Sequence, residues 1–514
     1  MTSLQAELNS LTNLADIRRC NANGRLDPEH KSAQGQFMTQ RAVAKFMASL
    51  YQTWQADEIR LLDAGAGVGS LTAAFVEEFL DRKPQIKSLA VTAYEPDPIL
   101  ARELQATLQD CRAQYSRTGA AFDAELLQTD FIEAGAYHLG AGLQLAMWGE
   151  PARRFTHAIL NPPYKKIHSE SSHRYLLRAI GIETSNLYTG FLAIAIRVLE
   201  PGGELVAITP RSFCNGPYFK PFRELLLQEM ALLRIHVFES RTHAFQDDEV
   251  LQENIIFHAV KGQAHSRVML SVSQDADFSQ IDSRIVDYAQ VIHPNDPDLF
   301  IHVVANEDEQ QLANQMKLLP CTLAELGVEV STGPVVDFRL KEYLYSDPQP
   351  GAVPLIYPAH CKDHAVTWPI SGSRKPNAIA DVEEVRKWLY PNGHYVVMRR
   401  FSAKEERRRV VAAVHDPGSV PGEWIGFENH LNVLHWKRRG LAPNLVRGLA
   451  VYLNSTFYDS CFRHFNGHTQ VNAKDIRNLR YPSVTVLEEF GRRINGGVFP
   501  TQEEIDTWIT EEVL

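Results

Sequence analysis

The sequence predicts an α/β fold, a mostly parallel sheet with helices on both faces over roughly residues 30 to 262, followed by a mixed α+β domain. Three observations predict it. Short apolar runs alternate with helix-period segments through the first half of the chain. A glycine-rich turn, DAGAGVG, joins the first such run to the first such helix. Beyond residue 262 the alternation gives way to short strands, prolines and aromatic–basic patches.

The runs IRLLDAG, LAVTAYE, ELLQTD, THAILN and GELVAITP are the expected strands, most of them closing on a polar residue. SLTAAFVEEFLD repeats apolar side chains at Leu71, Ala74, Phe75 and Phe79, a helical period. ILARELQATL behaves similarly, and TGFLAIAIRVLEPGG ends in a proline-glycine stop. LLRIHVFE and NIIFHAVK follow one another without a helix-period segment between them, which predicts a closing hairpin. The expected division is an N-terminal extension over 1–30, a first domain over 31–265, a polar connecting segment over 266–320 and a second domain over 321–514.

A chain of 514 residues is too long for one ordinary core. No run of eighteen apolar residues exists, so no membrane partner is expected. The N-terminus lacks the basic-then-apolar layout of a signal peptide. Six scattered cysteines form no CxxC pair or Cys/His cluster, so neither a disulfide framework nor a metal site is indicated; a reducing cytoplasm fits. The net charge is −10, yet Arg399 to Arg480 carries fourteen Lys/Arg against seven Asp/Glu. A local phosphate-binding face and an unevenly charged solvated surface both account for that excess.

The chemistry gathers at strand ends. Asp63 and Ala64 close the first strand, and Gly65, Gly67 and Gly69 let the turn stay tight while a ligand approaches the backbone. Glu95, followed by Pro96, ends the second strand, where a carboxylate accepts both hydroxyls of a ribose. The turn reads DxGxGxG rather than GxGxxG, and Asp63 would repel a pyrophosphate but not an ammonium. That favours S-adenosylmethionine over a dinucleotide. Asp130 offers itself to an adenine amino group, or equally to a helix N-terminus, and Phe131 provides a packing surface.

The fourth strand stops in Asn161, Pro162, Pro163 and Tyr164. Each residue before a proline is pushed to extended geometry, and the prolines lack N–H groups, so the Pro162 carbonyl is left for a ligand. An amide, a carbonyl and an aromatic ring at one strand end suit a planar group bearing an amino nitrogen. Two accepted hydrogen bonds would draw that nitrogen towards tetrahedral geometry and expose its lone pair, without a covalent intermediate. A proline turn with a surface tyrosine is the competing reading.

In this order, DAGAG, YEPD, TDFI and NPPY resemble an amino-methyltransferase using S-adenosylmethionine, and NPPY resembles the motif of enzymes that methylate the exocyclic nitrogen of adenine in DNA. SAQGQFMTQRAVAKFMASL is similar to the element preceding the glycine loop in the gamma class of those enzymes. The resemblance, over roughly residues 31 to 260, implies a Rossmann-like catalytic domain and flipping of the target base. The family's usual F-T-P is replaced around Gln36, Phe37, Met38, Thr39 and Gln40, leaving Thr39 as a helix cap facing the cofactor. It also implies an aromatic against the flipped base, for which HAFQDDEV offers Phe245, a core phenylalanine being the competing reading; Lys165 and Lys166, directly after the turn, are either phosphate contacts near that base or a charged exit.

EVSTGPVVDFR, YVVMRRFSAKEERRRVVAA, ENHLNVLH and FNGHTQVNAKDIRNLRYP resemble the recognition domain of PstI/BsuBI-type modification methylases, which implies duplex DNA as partner and CTGCAG as site. Arg399, Arg400, Lys404 and Arg407 suit phosphates, and Asn466, His468, Thr469, Gln470 and Asn472 suit base edges or backbone. A polar loop satisfying its own backbone competes with the latter. No PD…ExK pattern is present, so a cognate restriction endonuclease would be a separate protein, and the chain is expected to act as a monomer. Methylation of a protein glutamine amide or of RNA, and a non-catalytic DNA-binding subunit, are the rival functions.

Overall fold

The computed structural model describes residues 10–26, 38–52, 58–82, 87–116, 121–140, 153–238, 253–303, 307–402, 406–465, 470–494 and 498–514. The chain divides into two compact units, Met1–Ala305 and Asn306–Leu514.

The first unit is built on helices α1 (Leu11–Asn23) and α2 (Arg41–Ser49), strand β1 (Glu58–Ala64), α3 (Ser70–Arg82), β2 (Ser88–Tyr94), α4 (Pro98–Tyr115), β3 (Ala121–Leu127), α5 (Phe131–His138) and β4 (Phe155–Leu160). It continues through α6 (Ser172–Ala179), α7 (Leu187–Val198), β5 (Leu199–Pro210), α8 (Lys220–Glu229), β6 (Met230–Phe238), β7 (Asn254–Lys261), β8 (Arg267–Ser273) and β9 (Ile281–Asp287). The nine strands form one sheet in the order β3-β2-β1-β4-β5-β7-β6-β8-β9. β1 to β5 are parallel, and β7 inserts antiparallel between β5 and β6, as the hairpin reading predicts.

Successive residues of a strand face opposite sides, so the sheet carries two cores. Leu62 and Leu160 pack with Phe191 and Ile194 of α7 on one face. Leu61 and Ile159 pack with Phe75 of α3 and Val43 of α2 on the other. The order in which strands are added reverses between β1 and β4, leaving a crevice at the carboxyl ends of the parallel strands.

Two boundaries differ from the sequence reading. The segment read as a connector contributes β8, parallel to β6, and β9 to the same sheet. Its later part is tied down by Arg223, wholly buried, which donates to the carbonyls of Asp298, Phe213 and Gly216 at 2.8 to 3.0 Å. The N-terminal extension is likewise integral: Thr12 of α1 donates to Glu77 of α3, and Arg18 to Thr107 and Asp110 of α4. Neither segment carries a motif, because an amphipathic edge element needs only a periodic face.

The second unit is mixed α+β. Strands Glu329–Thr332, Leu431–His435, Tyr395–Arg399 and Ala412–His415 pair antiparallel at the heart of a six-stranded sheet. Five further strands make a second sheet. Helices Pro443–Leu453 and Val484–Arg493 pack backbone to backbone, because a Cβ at Gly448 would overlap the Leu487 carbonyl and one at Gly491 the Asn444 carbonyl. Among the described residues no helix is long and apolar enough to cross a membrane, and no group of His, Cys, Asp or Glu could hold a metal ion.

Candidate active site

Gly65, Gly67 and Gly69 all have positive φ, 77°, 58° and 86°, which is where glycine is favoured. The turn is secured from below, as the N–H groups of Gly65 and Ala66 both donate to the Tyr94 carbonyl. Glu95 secures it from the side. One carboxylate oxygen accepts from the Gly67 N–H at 2.8 Å and the other from the Asp97 N–H at 2.9 Å. Burial pushes the Glu95 carboxyl up to about 7, against the pull of those two hydrogen bonds.

The Asn161 turn lies against this loop; a Cβ on Gly65 would come 3.9 Å from the Asn161 carbonyl and 3.6 Å from the Phe191 ring. The Asn161 amide is held at both ends. Its Nδ2 donates to Thr39 Oγ1 at 2.9 Å, and its Oδ1 accepts from the Tyr164 hydroxyl at 3.0 Å. Tyr164 also reaches the Ile208 carbonyl at 3.3 Å and meets the Tyr188 ring edge-on at 6.2 Å. Burial raises the Tyr164 phenol, so it stays a donor.

Loop and turn together wall a cavity of about 240 Å³. Of the residues singled out from the sequence, Thr39, Gly65, Gly67, Glu95, Pro96, Asp130, Asn161 and Pro163 line it. Asp63, Ala64, Phe131, Pro162 and Tyr164 do not. Asp63 is wholly buried behind the loop, where its Oδ2 accepts from Thr72 Oγ1 at 2.6 Å; burial lifts it to about 7, against that bond. It therefore supports the turn instead of facing an ammonium. Phe131 is buried against Tyr94 and Phe191, and Phe191 is the ring that reaches the cavity. Thr39 is no helix cap: Gln40 occupies that position without a side-chain bond, and the Thr39 hydroxyl faces Asn161.

Asp130 serves both of its alternatives' geometry. Its Oδ1 caps α5 through the N–H groups of Ile132 and Glu133 at 2.8 and 3.0 Å, and the residue also lines the cavity. Its Oδ2 lies 3.2 Å from His173 Nε2. Burial opposes ionisation of Asp130, but the His173 and backbone hydrogen bonds outweigh it and hold the carboxyl below its ordinary range. The hydrogen bond to Asp130 raises His173 in turn. Met38, Lys165 and Lys166, which the sequence reading named beside its motifs, line the cavity too, as do His173 and Phe191, to which it gave no role. Phe191 was visible only as one apolar position of a helix, and His173 carried no signal at all.

In the second unit Arg400 and Gln470 come together, since the Val471 N–H donates to the Arg400 carbonyl at 2.8 Å and Phe401 bridges Gln470. Arg399 is paired with Glu406 at 2.5 Å, Arg400 donates to the Asn429 carbonyl, and Arg407 is exposed. Asn472 caps the helix Ala473–Asn478 in a reciprocal bond with Asp475, the self-satisfying alternative. Phe245, Lys404, Asn466, His468 and Thr469 lie outside the described residues.

Residues 69–245 match the model of the Eco57I restriction-modification methylase family. The chain is 43% identical over 506 residues to the type II methyltransferase M.PstI of Providencia stuartii, covering 98% of this chain and 97% of that protein. The chain belongs to this family of type II methyltransferases. A second relative, the type II methyltransferase M.BsuBI of Bacillus subtilis, is 45% identical over 487 residues, 95% of each chain. The fold is also that of a solved DNA complex of the type IIL restriction-modification enzyme MmeI, at a TM-score of 0.53 and 10% identity over 99% of this chain and 74% of that one. The family resemblance carried by the motifs thus holds over nearly the whole length, and the chain is a methyltransferase.

Proposed function

We propose that this methyltransferase transfers a methyl group from S-adenosylmethionine to the exocyclic N6 of adenine in duplex DNA, at CTGCAG, and so protects the DNA from a separate cognate endonuclease. The observation that carries the reading is the Asn161 amide, clamped between Thr39 and Tyr164 at the wall of the glycine-loop cavity. An amide whose oxygen is fixed in direction is a preorganised acceptor for an amino group.

The donor set fits the cofactor. Glu95 and Asp130 put carboxylates at two neighbouring strand ends, for ribose hydroxyls and an adenine amino group, while Val68, Leu100 and Phe191 supply apolar walls. Nothing lies within 4 Å of where a Gly67 Cβ would stand, so the backbone there is open to a ligand. When bound, S-adenosylmethionine supplies an electrophilic methyl group on a sulfonium.

In this reading the target adenine leaves the duplex and stacks on Tyr164, with Phe245 as the second aromatic. Asn161 Oδ1 and the Pro162 carbonyl accept the two amino protons and turn the N6 lone pair towards the methyl carbon. Pro163 keeps the turn rigid. Transfer of the methyl group to N6 would release one amino proton to water. Arg399, Arg400, Lys404 and Arg407 would follow phosphates, and Asn466, His468, Thr469 and Gln470 base edges, in the second unit. Asn472, already engaged as a cap, shapes that loop.

Labelled methyl donor offered separately to duplex DNA, RNA and protein tests the substrate. Label in N6-methyladenine of DNA is the expected result; label confined to RNA or to glutamine refutes it.

A further inference from the structure

Lys165 and Lys166 follow directly on Tyr164 and line the same cavity as Asn161 and the glycine loop. Their backbone is fixed by strand-like pairing. Lys166 bridges Asn186, the Leu187 N–H donates to the Lys165 carbonyl at 2.8 Å, and the Ile167 N–H donates to the Ser185 carbonyl at 2.8 Å. Both lysines are exposed, and among the described residues neither has a carboxylate partner. The neighbouring cations are spoken for: Glu183 holds Arg174 and Arg178, and Asp130 holds His173. Two ammonium groups thus stand uncompensated, on anchored backbone, immediately beside the aromatic of the reactive turn.

We propose that Lys165 and Lys166 grip the backbone phosphates flanking the extruded adenine. The inference rests on the reading of the turn as an adenine pocket in duplex DNA. A nucleotide flips about its own phosphodiester links, so those phosphates travel with the base to the mouth of the pocket. Unpaired lysines meet them there at no cost in broken ion pairs, and the released counterions help offset the energy of unstacking. The acidic wall of the cavity, Glu95 and Asp130, is suited to the neutral, hydrogen-bonding parts of the cofactor, which leaves the lysine side for the anionic partner.

The test compares wild type, the double variant K165Q/K166Q and the charge-keeping K165R/K166R. Duplex DNA affinity is measured against salt from about 50 to about 200 mM, alongside the KM for S-adenosylmethionine. The salt slope of the glutamine variant should be shallower by roughly 0.9 per lysine, the arginine variant should restore it, and the cofactor KM should not move. Wild-type methylation with an unaltered slope in the glutamine variant overturns the phosphate grip alone, as does a loss that falls on the cofactor KM. A wild-type protein that leaves adenine in duplex DNA unmethylated overturns the adenine reading and the grip with it.

Discussion

Thr39 Oγ1 accepts a hydrogen bond at 2.9 Å from Asn161 Nδ2, 122 positions further along the chain. The bond decides which way the Asn161 amide points, because the nitrogen is drawn to Thr39 and the oxygen to the Tyr164 hydroxyl. Thr39→Val removes the acceptor while keeping the shape. One neutral hydrogen bond contributes ~1 kcal/mol, so kcat should fall about fivefold to tenfold with DNA affinity unchanged, and Thr39→Ser should keep most of the rate. Single-turnover kinetics check this; an unchanged rate in the valine variant would show that Thr39 does not orient Asn161.

In the proposed mechanism Tyr164 has two functions that substitution separates. Tyr164→Phe keeps the ring but drops the bonds to Asn161 and the Ile208 carbonyl, so kcat should decline by about tenfold while the target base still leaves the helix. Tyr164→Ala should lose in addition ~1–3 kcal/mol of stacking. A fluorescent adenine analogue at the target position reports extrusion, and equal extrusion by the alanine variant would contradict the stacking role.

Asp63 makes stability depend on pH. Its folded pKa of about 7 exceeds the ordinary 3.8, so between those values the folded state binds more protons than the unfolded one. Stability therefore falls as pH rises through that window, by up to about 1.4 kcal/mol per pH unit, and the loss is complete above the folded pKa. Glu95 adds a contribution of the same sign between 4.5 and about 7. Urea midpoints at about pH 5 and about pH 8 should show this fall in wild type and a smaller one in Asp63→Asn. Identical falls would remove Asp63 from the account.

Gly448 sets the helix crossing in the second unit. Gly448→Leu would drive a side chain into the Leu487 backbone, so it should destabilise that unit by several kcal/mol, beyond the ~1–3 kcal/mol typical of an overfilled core. The expected signature is loss of DNA binding with S-adenosylmethionine binding retained, read by calorimetry with each ligand. Retained DNA affinity would contradict it.

The strand-end residues were legible in the sequence because each sits in a short contiguous motif whose geometry is local. Gly65, Glu95 and Asn161 read as ligand-facing at strand ends, Asp130 as ligand-facing or a helix cap, and all four line one cavity. What stayed hidden depends on distant partners. Asp63 was read as facing the ligand, but Thr72, in the first turn of α3, holds it inward. Phe131 and Phe191 exchange roles because sequence does not say which of two packed rings reaches the wall. In the second unit, spacing does not tell the three arginines of RRR apart: Arg407 is exposed, whereas Asp459 accepts from the N–H groups of Arg409 and Val410 and Arg409 lies in the interior. Strands β8 and β9 lacked any motif to mark them as part of the sheet.

The central claim is that Asn161 directs methyl transfer to adenine N6 in duplex DNA. Mapping modified bases in DNA from cells expressing either the wild-type protein or Asn161→Ala tests it most directly. The account predicts N6-methyladenine at every CTGCAG in the first and none in the second, with the purified variant still binding that duplex. Methylation that persists in the Asn161→Ala cells, or wild-type DNA without N6-methyladenine, would contradict it.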